Sequence, residues 1–332
     1  GDPLFEFPDM ISCVMETKVS IARLLKFLTD EELDSSLIAE LQAIKLKGEV
    51  SVEIKNATFL RSDAKKIQAT TANDPNSTGT PTDEEACVES TGSQIALSNI
   101  DFAAKKGELT CIVGSVGSGK TTFLQSILGH YPVVAADEKH GSPSVNVRGV
   151  VAYCPQQPWI MNSSIKKNIL FGHKYDPEFF EKTIEACELK SDFEILPDGE
   201  ETQVGEKGIS LSGGQKARIS LARAVYARAD IYLLDDVLSA VDAHVSKNII
   251  ERVLCKTGIL SSKTLVLSTN NIHVLEEADS IYVLDHGKID EQGTYDELIN
   301  DKGEFAKLIE EFGKADTTKE DSESATKEES ID

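Results

Sequence analysis

The chain has 332 residues, of which 40% are apolar, enough to bury a core in one large domain or two ordinary ones. Its 34 basic residues face 56 acidic ones for a formal net charge of -22, and no long basic cluster occurs; a polyanion such as nucleic acid is excluded as the natural partner. No run of about 18 apolar residues is present, so nothing here reads as a bilayer span, and no secretory signal opens the chain.

The six cysteines (Cys13, Cys87, Cys111, Cys154, Cys187, Cys255) stand singly, with no CxxC pair and no His partner at zinc spacing. They read as reduced thiols of a cytosolic compartment, mostly in the core. The Gly1-Asp2-Pro3 start, without a methionine, reads as the beginning of an excised fragment.

Residues 4–28 follow a proline with apolar residues at mixed helical spacing and end near Arg23 and Lys26, which predicts an amphipathic helix: an ordinary packing helix, or the cytoplasmic end of a transmembrane helix. A charged connection fills 29–47. From Gly48 the alternation GEVSVEIKNATFL predicts a strand with Val50, Val52 and Ile54 on one face. Residues 62–92 are rich in Thr, Ser, Asn, Asp and Pro and too poor in large apolar residues to offset their ordering entropy, so a mobile insertion within a β-subdomain is expected there.

A strand resumes at IALSNIDFAA, and LTCIVG is a buried strand running into a glycine loop. Strands and helices then alternate to about residue 312, which implies an α/β core with a largely parallel sheet. The acidic stretch 313–332 is expected to be disordered.

Gly114-Ser115-Val116-Gly117-Ser118-Gly119-Lys120-Thr121 fits GxxxxGK[ST], and it lies between a predicted strand and a predicted helix that opens with Thr121 and Thr122. Glycines let backbone N–H groups turn toward a β-phosphate, the helix N-terminus adds partial positive charge, Lys120 can bridge β- and γ-phosphates and Thr121 can ligate Mg2+. ATP and Mg2+ are the implied ligands. The run Ile231-Tyr232-Leu233-Leu234-Asp235 reads as a buried strand delivering the Asp235 carboxylate beside that metal. Together the two elements identify a nucleotide site, still shared by many ATPases and GTPases.

Leu211-Ser212-Gly213-Gly214-Gln215, followed by KARISLARAVYARADIYLLDD, resembles the signature helix and metal-binding strand of ATP-binding cassette proteins. The resemblance spans roughly residues 48–312, with the motifs in the family's order. It implies a P-loop cassette with a RecA-like core, an antiparallel β-subdomain and an α-helical signature subdomain at about 160–222. It also implies that Ser212, Gly213, Gly214 and Gln215 present N–H groups to the γ-phosphate of ATP held by a second cassette. By the same resemblance Gln156 reaches the metal and the attacking water and couples to the transmembrane part, with Gln157 as the alternative, and the Ser239-Ala240-Val241-Asp242 loop crosses the dimer interface.

PWIMNSSIKKNILFG and VGEKGISLSGGQ are similar to the first cassette of the C subfamily, the multidrug-resistance-associated transporters, and most to fungal vacuolar members of the cadmium-factor and bile-pigment type. The resemblance implies an energising domain on the cytosolic face of a fungal vacuolar membrane. Its partners would be the transmembrane domains and second cassette of the same transporter, and its cargo organic anions or glutathione conjugates. Residues 1–47 would then lead out of the preceding transmembrane domain.

Three positions depart from the family. The general base after the metal-site Asp is normally Glu; here it is Asp236, shorter by one methylene, and misplacing a base by about 1 Å costs on the order of 100-fold. The switch histidine is matched by Asn270, which can donate a hydrogen bond but carries no imidazole proton or charge; His273 is a distant alternative. The adenine-stacking aromatic is matched by Arg61, whose guanidinium can stack on a base, with Phe59 and Tyr131 as alternatives.

The expectation is a degenerate site that binds ATP and hydrolyses it weakly. Alternatives are a non-hydrolysing regulatory ATP clamp and a soluble cassette ATPase, although the latter leads one to expect coiled-coil insertions or basic surfaces that are absent from the sequence. In the tail, Ser322, Ser324, Thr326 and Ser330 are phosphorylation candidates on what is otherwise a solvated linker.

Overall fold

The computed structural model describes residues 3–29, 50–61, 95–136, 142–205 and 208–312. The insertion expected at 62–92 and the tail with Ser322, Ser324, Thr326 and Ser330 lie outside the described residues. Two compact units divide the chain, Gly1–Ala39 and Glu40–Asp332.

In the first unit α1 (Pro3–Leu28) is a single 26-residue helix, opened by a proline whose missing N–H costs nothing in a first turn. Its Val14, Met15, Leu24, Leu25 and Leu28 are more than half exposed. No helix among the described residues is long and apolar enough to cross a membrane.

The second unit runs β1 (Val50–Leu60), β2 (Ile95–Lys105), β3 (Leu109–Val113), α2 (Lys120–Ile127), β4 (Val133–Ala135), β5 (Ser144–Val147), β6 (Val151–Cys154), β7 (Ser163–Ser164), α3 (Ile165–Leu170), α4 (Pro177–Ala186), α5 (Lys190–Ile195), β8 (Gln203–Val204), α6 (Gly213–Tyr226), β9 (Ile231–Asp235), α7 (Ala243–Ile249), β10 (Thr264–Ser268), α8 (Ile272–Glu276), β11 (Ser280–Asp285), β12 (Lys288–Gly293), α9 (Tyr295–Asp301) and α10 (304–312). A π-helical turn, Ile250–Leu254, extends α7.

The strands form two main sheets. In the antiparallel one, β1 is central, flanked by β2 on one side and by β4 and β5 on the other. The alternation read in β1 is only partial, because Ser51 is buried along with Val52 and bonds Thr264 across to the other sheet (2.9 Å). The six-stranded sheet has the order β12-β11-β3-β10-β9-β6, with every pairing parallel except β11 to β12. Every residue of β3, β9 and β10 is buried, which explains their unbroken apolar runs: both faces are covered.

One core lies between the sheets. There α2 contributes Phe123, Leu124 and Ile127 against Ile54, Phe59, Leu97 and Phe102, and the Phe102 and Phe123 rings meet edge to face at 4.9 Å. The other core covers the opposite face with Ile219, Ala222 and Val225 of α6, and reaches Phe180 and Ile184 of the helical subdomain inserted between β6 and α6. The architecture is thus the mixed α/β cassette expected from the motifs. Three of the five described cysteines (Cys111, Cys154 and Cys187) are buried, whereas Cys13 is exposed.

Because Phe123 is fully buried directly behind the glycine loop, Phe123→Ala is expected to lower stability by about 3–5 kcal/mol in chemical denaturation. A loss under about 1 kcal/mol would show that this core does not brace the loop.

Candidate nucleotide-binding site

Four neighbouring strands of the six-stranded sheet, β3, β10, β9 and β6, end at one edge, and each delivers one part of the site there. The loop Gly114–Lys120 follows β3, Asn270 lies two residues beyond β10, Asp235 and Asp236 close β9, and Gln156 lies two residues beyond β6. Register locks them together: Ser268 pairs with both Ile112 and Asp235, and Cys154 with Leu234. The carboxyl edge of a parallel sheet is where open α/β folds bind ligands.

The glycine loop is shaped by steric constraint. Gly117 and Gly119 take φ of 85 and 110, a left-handed region closed to most side chains. A Cβ on Gly114 would lie 2.2 Å from the Leu284 carbonyl oxygen and 2.6 Å from Ser118 Oγ. The β11–β12 turn buttresses the loop, with the Gly287 N–H donating to the Ser118 carbonyl at 2.9 Å. Helix α2 begins at Lys120 with no side-chain cap and no acidic residue in its first turn, so its leading N–H groups are left for an anion. Ser115 and Val116 are exposed at the rim, and Thr121 and Thr122 are partly buried on α2.

Lys120 folds back over the loop, donating to the carbonyls of Gly114 (2.6 Å) and Ser115 (3.0 Å). Burial lowers its pKa, while the Asp236 and Asp235 carboxylates pull the other way. Burial also pushes the Asp235 carboxyl above the usual carboxylate range, against the Thr121 hydroxyl. Asp235 Oδ2 is buried without a hydrogen-bond partner, as are Ser118 Oγ, Ser268 Oγ and Asn270 Oδ1. Such a cluster of orphaned oxygens beside a lysine and a threonine fits a hard cation with its phosphate and water ligands; the residues therefore suit Mg2+, with Asp235, Thr121 and Gln156 as the protein's donors.

Asp236 has φ 48, with its N–H bonded to the Ser268 carbonyl (2.9 Å). Gln156 Nε2 donates to Asp236 Oδ2 at 3.3 Å, and Ser239 Oγ to the Asp236 carbonyl at 2.8 Å. Burial raises the Asp236 pKa, with the Ser239 and Gln156 hydrogen bonds opposing. The structure thus brings Gln156, Asp235, Asp236, Lys120 and Asn270 to one place. Gln157 is exposed, and the contact to the Asp236 carboxylate is made by Gln156.

The remaining predicted residues lie apart from this cluster. Arg61 is exposed just past β1, opposite the start of β2, where Leu60 pairs with Ile95. Phe59 is fully buried in the inter-sheet core and is removed as an adenine contact; its ring fills the core because it sits on the inward face of β1. Tyr131 is partly buried, its hydroxyl 3.4 Å from Gln125 Oε1. His273 is exposed on α8.

The signature segment starts α6 with a capping box: Ser212 Oγ accepts from Gln215 N (3.2 Å) and Gln215 Oε1 accepts from Ser212 N (3.0 Å). Gly213 faces open space, and a Cβ on Gly214 would approach the Ala240 carbonyl oxygen at 3.0 Å, so this helix start touches the loop that carries the exposed Ser239 and Asp242. Sequence reading missed what steadies it. Asp192 of α5, buried, accepts from Gln215 Nε2 (3.0 Å) and from Arg218 Nη2 (2.6 Å). An aspartate in an amphipathic helix carries no mark of such a partner in the sequence.

Residues 97–239 match the family described as ABC transporter. The chain is similar to bile pigment transporter 1 of Saccharomyces cerevisiae, 50% identical over 316 residues that cover 93% of this chain and 20% of that protein. It is 45% identical over 311 residues (93% of this chain, 19% of the relative) to the vacuolar heme ABC transmembrane exporter abc3 of Schizosaccharomyces pombe. It is 41% identical over 312 residues (94% and 18%) to ATP-binding cassette sub-family C member 2 of Mus musculus. The chain spans about a fifth of the length of these relatives.

A carboxyl whose folded-state pKa is raised withdraws stability above the ordinary value of 3.8, because the unfolded chain ionises more readily there. Asp236→Asn is therefore expected to raise Tm at pH 7 by roughly 2 °C without nucleotide, the gain fading as pH falls to about 4. A lower Tm at pH 7, followed by circular dichroism, would contradict the desolvation described here.

Proposed function

The chain belongs to the ABC transporter family, and on that premise we propose that it binds MgATP as the first of two nucleotide-binding domains in a C-subfamily exporter, at a site that hydrolyses weakly. The observation carrying the proposal is the pairing of a complete phosphate loop with Asp236, instead of the longer Glu, at the position that contacts Gln156. Residues 1–47 serve as the exit from a preceding transmembrane domain, 48–312 as the cassette and 313–332 as an acidic linker whose Ser322, Ser324, Thr326 and Ser330 accept phosphate. The relatives' names support a transporter over a soluble ATPase, and one of them supports a vacuolar membrane. Organic anions or glutathione conjugates as cargo rest on the C-subfamily resemblance.

In this reading the amides of Gly117 to Lys120 receive the β-phosphate, and Lys120 exchanges its two loop carbonyls for β- and γ-phosphate oxygens. Thr121, Asp235 and Gln156 hold Mg2+, which when bound neutralises charge on the terminal phosphates. Thr122 adds a hydroxyl to the phosphate cradle and Arg61 stacks on adenine. Asp236 accepts the proton of the attacking water, and its raised pKa suits a base, but its shorter side chain stands back from the reacting phosphorus. Asn270 binds γ-phosphate through its amide and transfers no proton.

Ser212 to Gln215 face the ATP of the opposite cassette, with Ser239 and Asp242 on the interface between the two. The same departures support a second reading in which this site never turns over and acts as a regulatory clamp. The two readings differ in residual hydrolysis.

Calorimetry and phosphate release measured in parallel test the proposal. Lys120→Ala is expected to weaken MgATP binding by about tenfold or more, and Asp236→Glu to raise phosphate release by about tenfold or more. Brisk release by the unsubstituted chain, unchanged in Asp236→Glu, would sink the weak-hydrolysis reading.

A further inference from the structure

Gln156 lies in Pro155-Gln156-Gln157-Pro158-Trp159. Each proline fixes its own φ and restricts the residue before it, so this stretch has few ways to absorb a displacement. Where its far end is held, Gln156 is held.

That far end is clamped by a residue outside the site. Arg223, in the last turn of α6, donates through Nη1 to the Trp159 carbonyl (2.9 Å), through Nε to the Asn168 carbonyl (2.8 Å) and through Nη2 to Asn168 Oδ1 (3.0 Å). Asn168 is fully buried in α3. It accepts from Met161 N (2.8 Å) and donates to the carbonyls of Met161 (3.1 Å) and Ser164 (3.1 Å). The guanidinium also sits 5.6 Å from the Trp159 ring and 5.0 Å from the Phe171 ring, and these rings meet edge to face. A lysine ammonium could keep the charge here but not the fork that reaches three oxygens at once.

We propose that Arg223 is a positioning residue for Gln156: by pinning Trp159 to Met161 onto α3 and α6, it sets how Gln156 reaches from Asp236 toward magnesium. The inference rests on the reading of Gln156 as a magnesium ligand. Arg223 hydrogen-bonds Trp159 and Asn168 and acts through the proline-stiffened loop.

The test measures how much Mg2+ tightens ATP binding, by calorimetry in Mg2+ and in EDTA, on the full 332-residue chain. Arg223→Lys is expected to reduce that tightening by about tenfold, as Gln156→Ala does. Its affinity for ATP in EDTA should stay within about twofold of the unsubstituted chain. A merely structural role would weaken both affinities alike. Trp159 is the sole tryptophan, so its acrylamide quenching reports release of the clamp directly.

If Trp159 becomes freely quenchable in Arg223→Lys while the magnesium effect is intact, and Gln156→Ala abolishes it, the inference is overturned. No effect of Gln156→Ala would instead overturn the reading of Gln156. Should Arg223→Lys not fold, the unsubstituted chain decides: the clamp predicts equal Trp159 quenching with ATP and with MgATP, and a rise of about twofold or more on adding Mg2+ contradicts it.

Discussion

Two carboxyl groups and one ammonium are drawn partly out of water where β9 ends and α2 begins, and the rest of the site is organised around that concentration of charge. Each alone is costly to bury. Together they are tolerable because Lys120 stands among Asp235 and Asp236, yet both carboxyls stay raised and Lys120 stays lowered, so the balance is incomplete. Orphaned oxygens on Asp235, Ser118, Ser268 and Asn270 mark where the deficit lies. A bound phosphate chain with its cation would satisfy the loop amides, Lys120 and these oxygens together.

The antiparallel sheet, α2 and the β11–β12 turn maintain this strained arrangement. Gly114 can occupy its place only because it has no side chain to meet the Leu284 carbonyl, and the Gly287 N–H closes the loop from behind. Across the second unit, α6 starts with a capping box steadied by Asp192. In the proposed function this start serves the ATP of a second cassette, which is the physical reason for expecting one.

Much of this was legible in the sequence because it depends on local chemistry. Glycine spacing, a lysine at a helix start and apolar runs closed by Asp235 are all properties of neighbours in the chain. The alternation that placed β1 held only in part: Ser51 finds Thr264 on the opposite sheet, and Asn56 to Leu60 are all buried. Contacts between distant positions were not legible. Arg223 reaches Asn168 and Trp159 across 55 and 64 residues, and the run of small and basic residues in α6 reads equally well as a solvated face. Phe59 was offered as an alternative base contact, whereas the register shift after Ile54, with Asn56 at φ 48, turns Ala57 and Phe59 into the same core as Val52 and Ile54.

The central claim is that this site holds ATP intact, and a single-turnover experiment tests it most directly. With the chain in excess over radiolabelled MgATP, so that every nucleotide is bound, the reaction is quenched after increasing times and the nucleotide is separated and identified. The account predicts that the label remains ATP long after binding is complete; rapid conversion of the bound pool to ADP would contradict it.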